Sequence, residues 1–133
     1  MSLTLTLDFQ YKTTIEKLWS ALTDPSKLAK WVLNNDFKPE VGHQFQFRGE
    51  ANQYWDGIIN CEVLVVDEVQ RVLSYTTAVG PEKHTVTWSI QDLGDGSVNL
   101  HLEQTGISNE QALNGAKWGV TQWCRELANL LEQ

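Results

Sequence analysis

Asn109–Glu132, NEQALNGAKWGVTQWCRELANLLE, decides the architecture of this chain. At about 100° per residue, Leu113, Ala116, Val120, Cys124, Leu127 and Leu131 form one apolar stripe, flanked by Ala112, Trp123 and Leu130. Gln111, Gly115, Gln122, Arg125 and Asn129 fall on the opposite side. The stripe is small in its first half, at Ala116, Gly119 and Val120, and larger towards the end. No other segment is long enough to cover a sheet, and an antiparallel sheet buried on one face needs a cover. The sheet is therefore expected to curl around this helix.

The sheet is written in the segments before it. Ser97 to Thr105 carries Val98, Leu100 and Leu102 on one face, and Lys83 to Asp92 carries Val86, Trp88 and Ile90. Arg71 to Thr77 carries Leu73, Tyr75 and Thr77. Gly57 to Asp67 is long and rich in Val and Ile, and His43 to Arg48 carries Phe45 and Phe47. This period of two is that of strands with one buried face. Gly94-Asp95-Gly96 supplies the positive-φ residues of a hairpin turn. From Asn34 to Gly42 the residues are turn-like. At the other end, Leu3, Leu5, Leu7, Phe9 and Tyr11 alternate with polar residues in a further strand. Thr13 or Thr14 then caps a helix with Ile15, Leu18, Trp19 and Leu22 at helical spacing. Thr23-Asp24-Pro25 ends it and starts a second, Ser26 to about Trp31, with Leu28 and Trp31 inward. The fold class is α+β: a strand, two short helices, a run of antiparallel strands and one long helix.

A chain of 133 residues reads as one domain, 1–133, able to bury a core without a disulfide or metal staple. Its net charge of −7, with Lys and Arg scattered singly, argues against nucleic acid and anionic membrane surfaces as partners. No apolar run approaches the roughly 18 residues of a membrane span, and the start lacks a signal peptide's pattern, so a soluble, cytoplasmic protein is expected. Cys61 and Cys124 form no CxxC or zinc spacing and are expected as two buried thiols rather than a disulfide. Six tryptophans suggest a wide, aromatic-lined interior.

Several blocks in order are similar to a known family. Ile15-Glu16-Lys17-Leu18-Trp19-Ser20-Ala21-Leu22-Thr23-Asp24-Pro25, closing on Trp31, resembles the opening signature of the heat-shock-protein ATPase-activator-like branch of the START/Bet v 1-like (SRPBCC) superfamily. Val41-Gly42 with Phe45 and Phe47, Glu62 to Asp67 with Arg71 to Tyr75, and Val86-Thr87-Trp88 with Gly94-Asp95-Gly96 and Thr105-Gly106 resemble its later blocks. Coverage is nearly end to end. The resemblance implies a helix-grip fold, a curved antiparallel sheet around the final helix with a cavity between them. It also implies binding of lipids or polyketide-like aromatics, with a minority of members catalysing cyclisation. The family name ties it to chaperone activation and so to the stress response. Cys61 stands where the family often has glycine, and Val120 where it often has tryptophan, so the pocket differs in shape from those of its relatives.

Polar residues in phase with the inward rows are the candidates for function. His84 shares parity with Val86 and Trp88, Gln104 with Leu100 and Leu102, and Tyr75 and Thr77 follow Leu73. They are either convergent handles in an apolar cavity or, for His84 and Gln104, wetted strand ends. No Asp or Glu is apparent on the inward row of His84, so a general base there lacks a partner. His101 and Glu103 face away from the core and His43 lies at the surface. Cys61 and Cys124 read as small apolar fillers. Trp19 reads as core, while Trp31 and Trp88 are core or cavity wall. Trp55, in a turn beside Tyr54, is a candidate rim or lid. Trp118 lies off the apolar stripe, against a loop or at a weak homodimer contact. The candidate ligand-binding set is Trp31, Phe45, Phe47, Cys61, Tyr75, Thr77, His84, Trp88, Gln104, Ala116, Val120 and Trp123, with no catalytic residue, metal or cofactor expected. Binding of a small hydrophobic molecule leads. A cyclase- or hydratase-type enzyme and a chaperone-associated interaction domain are the alternatives.

Overall fold

A computed structural model describes residues 2–53 and 55–132. Tyr54, named above beside Trp55, lies outside them. In chain order the elements are β1 (Leu3–Tyr11), α1 (Ile15–Thr23), α2 (Pro25–Trp31), β2 (Asn34–Asn35) and β3 (Gln44–Arg48). β4 (Ile58–Asp67), β5 (Val72–Val79), β6 (Glu82–Asp92), β7 (Val98–Ile107) and α3 (Glu110–Leu131) follow. All strands join one antiparallel sheet in the order β1-β7-β6-β5-β4-β3-β2. The first strand therefore pairs with the last, and α3 leaves β7 to lie across the inner face. This is the expected α+β helix-grip arrangement.

Local chemistry sets the helix ends. Thr14, rather than Thr13, caps α1 by accepting the Lys17 N–H at 3.2 Å. Asp24 ends α1 and caps α2, accepting the Ser26 N–H at 2.9 Å, with Pro25 in the first turn where its missing N–H costs nothing. Asn109 caps α3 by accepting the Ala112 N–H at 2.9 Å. Among the described residues no helix is long and apolar enough to cross a membrane.

The core lies between sheet and helices. Leu18, Leu22, Trp31, Leu73, Leu100, Leu102 and Leu127 are fully buried in it. Trp19 is core as expected, with the Arg71 guanidinium 5.8 Å from its ring centroid. Two departures from the expected pattern concern strands. The turn-like stretch after Asn34 contains β2, held to β3 through Asn34–Arg48 and Asn35–Phe47 pairs. Here Asn35 accepts the Phe37 N–H at 3.1 Å and so turns Phe37 into the core. In β4 the register shifts between Val63 and Val65, so the inward row runs Ile59, Cys61, Val63, Val66, with Leu64 and Val65 exposed.

β1 is tied to α3 directly. The Tyr11 hydroxyl donates to the Cys124 carbonyl at 2.9 Å in a buried setting. At its far end β7 carries an extra residue opposite β1, because Leu5 pairs with Gln104 but Leu3 with Ile107. Gly106 makes this possible with φ +83°, and a Cβ there would stand 3.0 Å from the Lys83 carbonyl oxygen. Gly106→Ala is therefore expected to destabilise by more than about 1 kcal/mol, since an L side chain is both strained and crowded there. Urea unfolding of the two proteins checks this.

Candidate functional site

The second half of α3 seals against the core through Cys124 and Leu127. Its first half does not. Between that half and the inner face of the sheet lies a cavity of about 410 Å³. Phe47, Ile59, Tyr75, Thr77, Val79, Val86, Trp88 and Gln104 form the sheet wall, with Glu82 and His84 on the same inward row of β6. Ala112, Gly115, Ala116, Gly119, Val120 and Trp123 form the helix wall. A Cβ added to Gly115 or Gly119 would meet nothing within 4 Å, so neither glycine is required by close packing.

Nine of the twelve candidate residues line this cavity: Phe47, Tyr75, Thr77, His84, Trp88, Gln104, Ala116, Val120 and Trp123. The other three do not line it. Trp31 stands edge-on to Trp88 at 5.8 Å and donates its Nε1–H to the Ala21 carbonyl at 2.8 Å, so it buttresses the wall as core. Phe45 is enclosed by Phe37, Phe47 and Tyr75, all edge-on at 5.1 to 5.6 Å. Cys61, its cross-strand partner, is buried with it, and both border a separate shallow hollow on the outer face of β3–β5 with Gln46 and Asn60. Trp55 is no lid: its ring folds onto Gly49 and its Nε1–H donates to the Ile58 carbonyl at 3.2 Å. Gly115, expected on the face away from the core, lines the cavity instead.

The cavity is polar at one end. Cross-strand pairs stack in order from its open end inward: Val79 with Glu82, Thr77 with His84, Tyr75 with Val86, Leu73 with Trp88. Glu82 corrects the expectation that His84 has no carboxylate on its row. β6 begins one residue earlier than expected, because Gly80-Pro81 forms a two-residue hairpin loop with positive φ (+58°) at the glycine, a conformation that suits the sheet twist. Glu82 thereby falls in phase with His84, Val86 and Trp88. The parity of 82 with 84 was the available signal.

His84 Nε2 lies 2.6 Å from Glu82 Oε2, and its Nδ1 lies 2.6 Å from the Gln104 side-chain nitrogen. A carboxylate only accepts, so Nε2–H donates to Glu82 and Nδ1 accepts from the Gln104 amide. Neither ring nitrogen is then free for a guest while Gln104 keeps its place. Glu82 also accepts the Ser108 hydroxyl at 2.6 Å and the Ser108 N–H at 3.1 Å, linking the cavity mouth to the β7–α3 junction. Deeper in, the Trp88 Nε1–H donates to the Tyr75 hydroxyl at 3.0 Å.

Charge follows burial. The bonds from Ser108, and next from His84, hold the Glu82 carboxyl down at about 2, so it is anionic at neutral pH. Burial pushes the Tyr75 phenol up, keeping it protonated. Burial pushes the thiols of Cys61 and Cys124 up to about 12, which makes them poor nucleophiles and fits their reading as fillers. On the outer face His101 Nδ1 meets Asp8 Oδ1 at 2.9 Å, and His43 Nε2 meets the Asp36 carbonyl at 2.9 Å, both away from the cavity. Trp118 is 69% exposed on the outer side of α3.

Because the folded state holds Glu82 below its ordinary value of 4.5, its bonds stabilise fully above that pH and are lost as pH falls through about 2. The stability gap between wild type and Glu82→Gln is expected to be constant from neutral pH to about 5 and to shrink on further acidification. Chemical unfolding at a series of pH values measures the gap.

Comparison with known proteins agrees with this fold. No curated protein matches the sequence. Protein MLL2253 from Mesorhizobium loti is 34% identical, with a TM-score of 0.86 over 98% of this chain and 97% of that one. An HSP90 activator from Plasmodium falciparum, 19% identical, shares the fold with a TM-score of 0.79 over 98% and 96% of the two chains. DynU16, from the dynemicin biosynthetic locus, does so at 20% identity and a TM-score of 0.82, over 98% of this chain and 47% of its own. The model of one family, described as Activator of Hsp90 ATPase homolog 1-like protein, matches residues 12–132, and the chain belongs to that family.

Proposed function

We propose that this chain, as one cytoplasmic domain, binds a small hydrophobic molecule in the cavity between the sheet and α3. The observation that carries the reading is the unfilled space beside the first half of α3. Two glycines inside a helix cost up to about 1 kcal/mol each relative to alanine, and here no neighbouring atom needs their smallness. They leave their part of the wall open around a cavity of about 410 Å³, within the usual range for ligand pockets, with aromatic walls and a few polar groups at one end. Such a site suits a lipid or a flat aromatic guest.

A cyclase- or hydratase-type enzyme in the same cavity is the second reading, favoured by the Glu82–His84 pair. A carboxylate that fixes a histidine tautomer is the usual support of a general base. Against it stands Gln104, which occupies the nitrogen that a substrate proton would need.

Val120→Trp separates an open cavity from a packed core. Filling existing space is expected to change stability by less than about 1 kcal/mol, whereas overpacking a filled core costs about 1–3 kcal/mol. The variant is also expected to lose the stabilisation that apolar ligands give wild type, about 2.7 kcal/mol at a hundredfold excess over Kd. Thermal melts with and without planar aromatics and lipids test both, and mass spectrometry of the recovered ligand tests for turnover. A strongly destabilised variant beside a wild type that nothing stabilises overturns the ligand-binding reading. A chemically altered ligand, absent with His84→Ala, establishes the enzyme instead.

A further inference from the structure

The cavity has two ends of different chemistry, and together they select among hydrophobic molecules. At the mouth, the Glu82 side chain is 30% exposed and that of His84 11%. At the floor, Tyr75 is 5% and Trp88 2% exposed. The two levels are four residues apart along β6, roughly 13 Å at the rise of a strand.

At the floor, one donor is unspent. The Tyr75 hydroxyl oxygen accepts from the Trp88 indole, and Trp88 is fixed in turn by its edge contact with Trp31. The hydroxyl's own proton has no acceptor among the described residues. A buried phenol that lacks one is better satisfied by an acceptor that arrives with a guest. Its position among Phe47, Trp88 and Val120 means that this acceptor must sit on an otherwise apolar body.

At the mouth, one charge stands alone. Among the described residues, no lysine or arginine lines the cavity, and the single formal charge on its wall is the Glu82 carboxylate. Lys83, the nearest cation in sequence, alternates to the outer face of the sheet and borders the hollow there. An anionic headgroup would leave water with no countercharge and meet a like charge at the entrance, which is unfavourable both by desolvation and by Coulomb repulsion.

We infer that the occupant is an uncharged, flat apolar molecule carrying a carbonyl-type acceptor, which the Tyr75 hydroxyl engages at the floor, and that Glu82 at the mouth excludes carboxylates such as free fatty acids. This rests on the ligand-binding reading above and divides its two ligand classes. Glu82, fixed by Ser108 and His84, acts as an entrance filter, and Tyr75 sets which end of the guest enters first.

Three naphthalenes substituted at the same ring position separate the parts: the acetyl, ethyl and carboxylate derivatives, titrated by calorimetry. On wild type, the acetyl compound is expected to bind several-fold more tightly than the ethyl compound, the gain of one net hydrogen bond, about 2- to 12-fold. The carboxylate is expected to bind at least about tenfold more weakly than the acetyl compound. Tyr75→Phe should bring acetyl and ethyl affinities together and leave the ethyl affinity in place. Glu82→Gln should narrow the gap between acetyl and carboxylate. Equal affinities of acetyl and ethyl on wild type, or an acetyl advantage that survives Tyr75→Phe, overturns the floor assignment. A carboxylate that binds wild type as well as the ketone does overturns the filter. Binding of the ethyl compound alone leaves the cavity reading standing while this inference fails. Binding of none of the three overturns this inference, while the ligand-binding reading stands or falls on the melts with lipids described above.

Discussion

The position of α3 against the sheet governs everything inside this molecule. An open antiparallel sheet of seven strands has one inner face to cover, and a single long helix to cover it. That helix is held at its C-terminal half, where Cys124 and Leu127 are buried and the Cys124 carbonyl receives the Tyr11 hydroxyl from β1. β1 can make that bond because it pairs with β7, the strand from which α3 departs. Once one half of the helix is fixed, the other half stands over β5 and β6 at a distance its side chains do not bridge. The hollow is a consequence of fastening a cover at one end and making it thin at the other.

Much of this was legible in the chain. Period-two alternation placed the strands, because each has one wet and one dry face, and the long helix declared itself by a stripe no strand could carry. The pattern fails to show those places where a single residue alters a local rule. Leu64 bulges out of β4 and shifts the row beyond it, which composition alone does not reveal. Asn35 uses its side chain to turn Phe37 inward from a stretch that reads as loop. Glu82 was hidden because charge at a strand end usually means solvent, and only the tight Gly80-Pro81 turn puts it on the inward row.

The site was legible to a similar degree and for similar reasons. Parity along the strands found the sheet wall, since inward rows are set by backbone geometry alone. It could not tell which inward residues touch the hollow and which lie behind them. Trp31, Phe45 and Cys61 share the phase of the lining, but aromatic edges close over them. A helical wheel puts Gly115 on the far side of α3 because it knows only angle. A residue without a side chain lets the wall reach round the helix further than angle implies.

The two halves of α3 carry separate duties, and this has an evolutionary reading. The residues that hold the helix down, Cys124 and Leu127, do not line the cavity, while Gly115 and Gly119 line it and bear little of the packing. The volume and contour of the interior are thus set by positions on which the fold makes few demands. If the cavity holds a guest as proposed, exchanges among small residues there would change which guest fits without a compensating change elsewhere. Specificity and foldability would then rest on different residues of one helix.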